Sequence, residues 1–233
     1  MSDATELLGL LTNAIAGTKE RNIAIAFSGG LDSAVIAKIA SERMRATLYT
    51  AGATGCKDFA AAESAAKMLG LPLRKIEPSE AEVAEASQEL AKTIRTDNLL
   101  ILSYTLPLWF VCRSCSETAV VSGQGADELF GGYAKYQRSA DAAGEMRRDL
   151  EKLASGGLEQ KIASHFGKKL ILPFLDRAVI RFSTALPLER KISGGRNKII
   201  LREAAEMLDL GLIAQRPKKA AQYGSGIAKV LSR

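Results

Sequence analysis

The chain has 233 residues and a mass of 24.9 kDa, with 47% hydrophobic and 25% charged residues, enough to bury about 70% of its unfolded surface in one large domain without disulfides or metals. This composition excludes a disordered chain; there is no apolar run of the ~18 residues a membrane helix needs, and the opening residues, with Asp3, Glu6, Lys19 and Glu20, do not read as a signal peptide. Three cysteines cannot all pair internally, which points to reduced thiols and a cytoplasmic protein, and 32 basic against 26 acidic residues give a charge of +6 that suits an anionic ligand without singling out nucleic acid.

Leu7, Leu8, Leu11 and Ile15 recur at helical spacing within Met1 to Arg21 and predict a first helix. Asn22 to Phe27 is a short apolar strand running into Ser28-Gly29-Gly30, after which Asp32 to Arg43 is helical. A second strand covers Ala46 to Ala51. A helix over Lys57 to Leu69 stops at Gly70, and Leu73 to Ile76 is a third strand. A charged helix spans Ser79 to Arg95, and an apolar one Ile101 to Glu117, where Pro107 predicts a kink. Thr118 to Val121 is the fourth strand. The remainder reads as helical, broken at Gly156-Gly157, Pro173, Gly194-Gly195 and Pro217. Strands alternating with helices predict an α/β fold: a parallel open sheet with flanking helices and right-handed crossovers, followed by a C-terminal helical part. We expect a single domain over 1–233, with a sheet half at about 1–132 and a helical half at about 133–233.

Two loops carry the chemistry. Ser28-Gly29-Gly30-Leu31-Asp32-Ser33 joins strand to helix, where glycines let the backbone approach an anion and free amides at the helix start favour phosphate. It is neither a Walker loop nor a Gly-x-Gly-x-x-Gly fingerprint. The competing reading is an ordinary glycine turn capped by Asp32. Ser122-Gly123-Gln124-Gly125-Ala126-Asp127-Glu128-Leu129-Phe130-Gly131-Gly132-Tyr133 follows the fourth strand. Loops at the carboxyl ends of parallel strands face one crevice, so Asp32 and Asp127 are candidates to bridge magnesium to a triphosphate.

The first loop resembles that of the PP-loop ATP pyrophosphatases, and the second resembles the synthetase domain of asparagine synthetases. The likeness continues through Pro173-Phe174-Leu175-Asp176, Lys198-Ile199-Ile200-Leu201-Arg202 and Arg216-Pro217-Lys218-Lys219. The resemblance implies an adenine nucleotide alpha-hydrolase-like fold and an ATP- and Mg2+-dependent ligase. Such enzymes adenylate a carboxylate with release of pyrophosphate, and ammonia then displaces AMP to leave an amide. It further implies that Ser28, Gly29, Gly30, Asp32 and Ser33 hold pyrophosphate and that Asp32 and Asp127 bind the metal. Ala26 and Ala51 would meet adenine, Ser122 and Gly123 would line the nucleotide pocket, and Lys198 would neutralise charge on the α-phosphate.

Departures from the family pattern concern the nitrogen source and the acceptor. Glutamine-dependent relatives carry a catalytic cysteine after the initiator methionine and a whole glutaminase domain; here residue 2 is Ser2 and some twenty residues precede the first strand. The expected nitrogen source is therefore free ammonia or a separate glutaminase subunit. The second loop has Gln124 where the family often has glutamate. Before Pro173, Lys169 stands at a glutamate position and Ile171 at an arginine position. Aspartate is the default acceptor. Cys112 and Cys115, three apart on one helix, read as buried structural thiols rather than a metal site with Cys56, and His165 as a packing or capping residue. Arg216 to Gly226, with Lys218, Lys219 and Tyr223, reads equally as a cover over the nucleotide or as a solvated basic tail. Expected partners are small molecules, with homo-oligomerisation left open and no nucleic acid or membrane. Two alternatives stand: a PP-loop enzyme acting on tRNA or another acceptor, and a non-catalytic nucleotide-binding subunit.

Overall fold

Helix α1 (Asp3–Ala16) starts where the Ser2 hydroxyl accepts the Thr5 amide, and it buries Leu7, Leu11 and Ile15. The computed structural model describes residues 2–216 and 225–231. Five parallel strands, β1 (Asn22–Ala26), β2 (Arg45–Ala51), β3 (Leu73–Ile76), β4 (Ala119–Ser122) and β5 (Lys169–Ile171), form a sheet in the order β3-β2-β1-β4-β5. The chain winds outward from β1 to β3 and then returns to the other side of β1. Strand order therefore reverses between β1 and β4, where open α/β sheets hold ligands beyond the carboxyl ends of the strands. Register pairs Ala26 with Ser122, so the loops that follow leave the sheet side by side.

Helices α2 (Leu31–Ser41), α3 (Lys57–Leu69), α4 (Glu80–Ile94) and α5 (Leu99–Ser114) flank the sheet. The strand period of two sorts β1 between its faces: Ile23 and Ile25 join a core with Leu7, Ile36 and Ala62, whereas Ala24 joins one with Leu90, Trp109 and Val120. Local signals set the helix ends. Gly70 closes α3 in the left-handed conformation (φ 65°), and Ser79 and Glu82 form a reciprocal capping box at the start of α4. Pro107 lies inside the continuous helix α5.

Beyond β4 the chain runs through α6 (Ala126–Phe130), α7 (Ala142–Gly156), α8 (Leu158–His165), β5, α9 (Arg177–Ala185), a hairpin of β6 (Ile192–Ser193) and β7 (Arg196–Asn197), α10 (Ile199–Met207) and α11 (Gly211–Ala214), with a last short helix at Ile227–Leu231. Two features correct the sequence reading of this half as helical. The fifth strand has only three residues and two apolar positions, too few for any periodicity to register. The Gly194-Gly195 break is the turn of the hairpin, with both glycines at positive φ (55° and 74°). Ile200, Leu201, Ala204 and Ile213 from this half pack into the same core as α1, β1 and α2, so one hydrophobic cluster spans both halves. Among the described residues no helix is long and apolar enough to cross a membrane.

Candidate active site

The carboxyl end of β1 feeds the Ser28-Gly29-Gly30 loop. Gly29 has φ 72°, and a Cβ there would lie 2.4 Å from the carbonyl carbon of Ala61, so only glycine lets this loop pack on α3. Gly30 is the extended N-cap of α2 and offers no side-chain cap, which leaves the first-turn amides of α2 facing outward beside Asp32. Ser33 donates to the Gly30 carbonyl at 3.1 Å, bracing the turn. From β4, Gly123 passes so close to α2 that a Cβ would lie 3.2 Å from the Asp32 Cβ. The first turn of α6 then presents Asp127.

Lys198 joins the two loops from below. Its side chain is 1% exposed, and its Nζ donates to Asp32 Oδ1 and Oδ2 at 2.6 and 2.5 Å and lies 2.6 Å from Asp127 Oδ1. Burial alone would pull its pKa down, but the charges of Asp32 and Asp127 outweigh it and hold the ammonium above the ordinary lysine range. The backbone at Lys198 is left-handed (φ 56°), a conformation fixed by neighbours. Arg202, one turn into α10, donates from Nε to the Asn197 carbonyl (2.7 Å) and from Nη2 to Asn197 Oδ1 (2.9 Å), while Asn197 Nδ2 donates to the Gly132 carbonyl (3.0 Å). The lysine and arginine of Lys198-Ile199-Ile200-Leu201-Arg202 thus act together, one cation facing the carboxylates and the other locking the turn that delivers it. Gly132 leaves the space for this contact: a Cβ there would fall 2.5 Å from Lys198 Cε.

The crevice between the loops is lined by Ala26, Ser28, Asp32, Ser33, Ala51, Ser122, Gly123 and Asp127, all singled out from sequence. Gly29 and Gly30 shape its first loop rather than line it, and Lys198 lies beneath the floor. Ala26 and Ala51 share one apolar cluster with Leu108 and Val111, and all four line the crevice. Asp32 and Asp127, 24% and 21% exposed at their side chains, present hard carboxylate oxygens to the crevice. Magnesium takes one or two carboxylates and fills its remaining positions with phosphate oxygens and water, so this pair fits it. Among the described residues no group of three or more His, Cys, Asp or Glu gathers for a metal.

The crevice is also lined by Gln124, which the sequence marked as a departure from the family pattern, by Glu128 and Tyr133 of the same loop, and by Glu159 and Tyr104, which sequence reasoning did not single out. Gln124 Nε2 donates to Glu159 Oε1 at 2.9 Å, and the Tyr133 hydroxyl donates to Glu128 Oε1 at 2.8 Å. Both glutamates are buried. Burial raises the Glu159 pKa; burial and then the Glu128 charge raise that of Tyr133. Glu128 and Tyr133 were legible inside the second loop motif, but Glu159 had no local signal.

Lys169 and Ile171 fall elsewhere. Lys169 pairs with Ala119 at the amino end of the sheet, opposite the crevice, and its Nζ meets Thr18 Oγ1 at 3.3 Å, while Ile171 is buried in β5. Their departure from the family pattern therefore removes nothing from the crevice wall. Cys112 and Cys115 are buried, with burial pushing Cys112 up to about 12, and Cys56 is half-buried. His165 sits 3.0 Å from Glu89 Oε1 with its ring against Trp109. Of the Arg216 to Gly226 segment, residues 217–224, including Pro217, Lys218, Lys219 and Tyr223, lie outside the described residues. Arg216 donates to Ser64 Oγ at 2.9 Å, and Ser225 lines the crevice.

The family profile Asparagine synthase matches residues 6–164 and 135–231. A Methanocaldococcus jannaschii protein named "Putative asparagine synthetase (glutamine-hydrolyzing) 1" is 34% identical over 90% of this chain and 47% of its own length. The human asparagine synthetase domain-containing protein 1 is 27% identical over 95% of this chain and 48% of its own. The chain thus spans about half the length of the curated relatives it matches. Among solved structures, an NMN synthetase from Francisella tularensis superposes with a TM-score of 0.50 at 16% identity, covering 99% of this chain and 84% of that one, a likeness of fold. With the profile spanning nearly its whole length, and the two glycine loops and the buried lysine set around one crevice, the chain belongs to the asparagine synthase family.

Proposed function

We propose that the chain is an ATP-dependent amide-forming ligase that adenylates a carboxylate, by default that of aspartate, and lets ammonia displace AMP. The observation that carries this reading is Lys198, an ammonium buried between Asp32 and Asp127 at the switch point of the sheet. Adenine packs against the apolar cluster at Ala26 and Ala51, and the phosphates lie along Ser28, Ser33 and the first amides of α2. The acceptor oxygen attacks the α-phosphorus in line with the departing pyrophosphate. Negative charge then grows on the phosphate oxygens, and the fixed Lys198 ammonium beneath Asp32 and Asp127 lowers the electrostatic cost of that charge from below the crevice floor. Magnesium held by Asp32 and Asp127 would supply charge neutralisation on the same phosphates. The free thiols of Cys56, Cys112 and Cys115 support a reducing, cytoplasmic setting. Ammonia is the nitrogen donor in this reading, free or delivered by a separate glutaminase subunit.

The test is product analysis with ATP, magnesium, aspartate and ammonium. AMP, pyrophosphate and asparagine are expected in equal amounts and lost in Lys198→Met. Tight ATP binding without aspartate-dependent AMP would refute aspartate as acceptor and move the search to other carboxylates and to tRNA. Nucleotide binding with no AMP from any acceptor would favour a non-catalytic subunit.

A further inference from the structure

The acceptor end of the crevice carries an amide, Gln124, at the loop position where the family pattern often has an acid. An amide cannot take a proton at neutral pH. Yet the Gln124 side chain does not simply face the opening: its Nε2 donates at 2.9 Å to Glu159 Oε1. Glu159 reaches the crevice from the first turn of α8, far along the chain from the loop it contacts. The residue is 94% buried (6% exposed), and among the described residues no lysine, arginine or histidine pairs with it. A carboxylate withdrawn from water without a cation carries a desolvation cost that structure alone does not reward, and such groups concentrate where chemistry needs them.

We propose that Glu159, oriented by Gln124, is the carboxylate that receives the proton of the ammonia nucleophile. This rests on the amide-forming reading above and adds the group that reading lacks. In the step, the ammonia nitrogen forms the bond to the acyl carbon of the adenylate. The proton shed by nitrogen passes to the Glu159 carboxylate, and the bond from the acyl carbon to the phosphate oxygen breaks with its electron pair leaving on AMP. The neighbouring acid, Glu128, is already engaged by the Tyr133 hydroxyl, and Tyr104 of α5 also lines the crevice, its pKa raised by burial and by the charges of Glu159 and Glu128. Burial raises the proton affinity of Glu159, in the direction a proton acceptor needs.

The experiment separates the two half-reactions: carboxylate-dependent exchange of pyrophosphate into ATP, across a panel of amino acids, reports adenylation, and amide formation reports the ammonia step. In Glu159→Gln, amide formation is expected to fall at least ~100-fold, the scale of a lost general base, while exchange changes less than about fivefold. Adding Gln124→Glu to that variant returns a carboxylate to the loop and is expected to recover amide formation by at least about tenfold. Glu159→Asp, which keeps the charge, serves if Glu159→Gln does not fold; it is expected to slow amide formation and spare exchange. Equal loss of both half-reactions, or undiminished amide formation, would overturn the proposal while leaving the ligase reading in place. Wild-type protein that exchanges pyrophosphate with no amino acid would overturn the ligase reading, and the role of Glu159 with it.

Discussion

Replacing Lys198 by methionine tests the centre of the site through stability as well as activity. Methionine keeps the unbranched stem of lysine, so packing around the buried side chain changes little and the missing ammonium dominates. Two effects oppose each other. The ammonium no longer has to be desolvated, which favours the variant; but Asp32 and Asp127, both within 2.6 Å of the lost nitrogen, now face each other with like charge. Replacing an entire buried ion pair by apolar groups can be neutral, whereas removing one partner costs 3–5 kcal/mol. Both carboxylates are about a quarter exposed, so water from the crevice screens part of that cost. We expect a net loss of about 2–4 kcal/mol.

For a chain of this length that loss lowers the melting temperature by roughly 5–15 °C. The assay is thermal unfolding by circular dichroism, with and without magnesium. A divalent cation between the two carboxylates replaces the lost charge, so magnesium should raise the melting temperature of the variant more than that of the wild type. In the wild type the ammonium is held above the ordinary lysine range. Its contribution is therefore fully present below that range and vanishes only as pH rises through the still higher folded value, so it gives no slope between pH 6 and 9. A variant melting within about 2 °C of wild type, with no greater response to magnesium, would show that the ammonium does not hold the loops together.

Three further outcomes follow from other parts of the molecule. Gly29→Ala places a Cβ 2.4 Å from the Ala61 backbone at φ 72°, so it should cost at least ~2 kcal/mol and abolish nucleotide binding, read by denaturant unfolding and ATP titration. Ser79→Ala removes the capping box of α4, far from the crevice; chemical denaturation should show a loss of about 1 kcal/mol with ATP affinity unchanged. Glu159→Gln should melt higher than wild type at pH 7.5. A carboxyl group whose proton affinity rises on folding makes the native state bind more protons than the unfolded one, so wild-type stability falls as pH rises through this window and the advantage of the variant should fade toward pH 4; an advantage that persists unchanged at pH 4 would contradict that sign.

Much of the fold was legible because its signals are local. The α3 helix ends at Gly70 in the left-handed conformation that only glycine adopts freely, and Ser79 with Glu82 announces α4 three residues apart. Gly29 in the first loop and Gly123 in the second sit where a Cβ would crowd the backbone of α3 and of α2, so the composition of these loops records a geometric demand. The short elements were not legible. Lys169, Leu170 and Ile171 form a strand because β4 offers an open edge, and no property of those three residues alone distinguishes them from a loop. The β6–β7 hairpin is likewise two residues on each side of its glycine turn.

The acceptor end shows why motif letters and site groups are different quantities. Along the sequence, Gln124 and Lys169 both read as lost acids. In space they separate: Lys169 lies at the amino end of the sheet, away from the chemistry, whereas Gln124 lies in the crevice and hydrogen-bonds a buried acid from α8. Within α8, the run Leu158-Glu159-Gln160-Lys161 has the polarity of a solvated helix face, and nothing local marks Glu159 as different from Gln160. What distinguishes it is the docking of α8 against the loop after β4, a contact between segments 35 residues apart. A side chain placed by a long-range contact leaves no trace in spacing or periodicity, so counting the acids within the loop motifs underestimates the acidity of this pocket. The same reasoning says where other such groups should be sought in chains of this fold: on helix turns that abut the second glycine loop, whatever residue the loop itself carries.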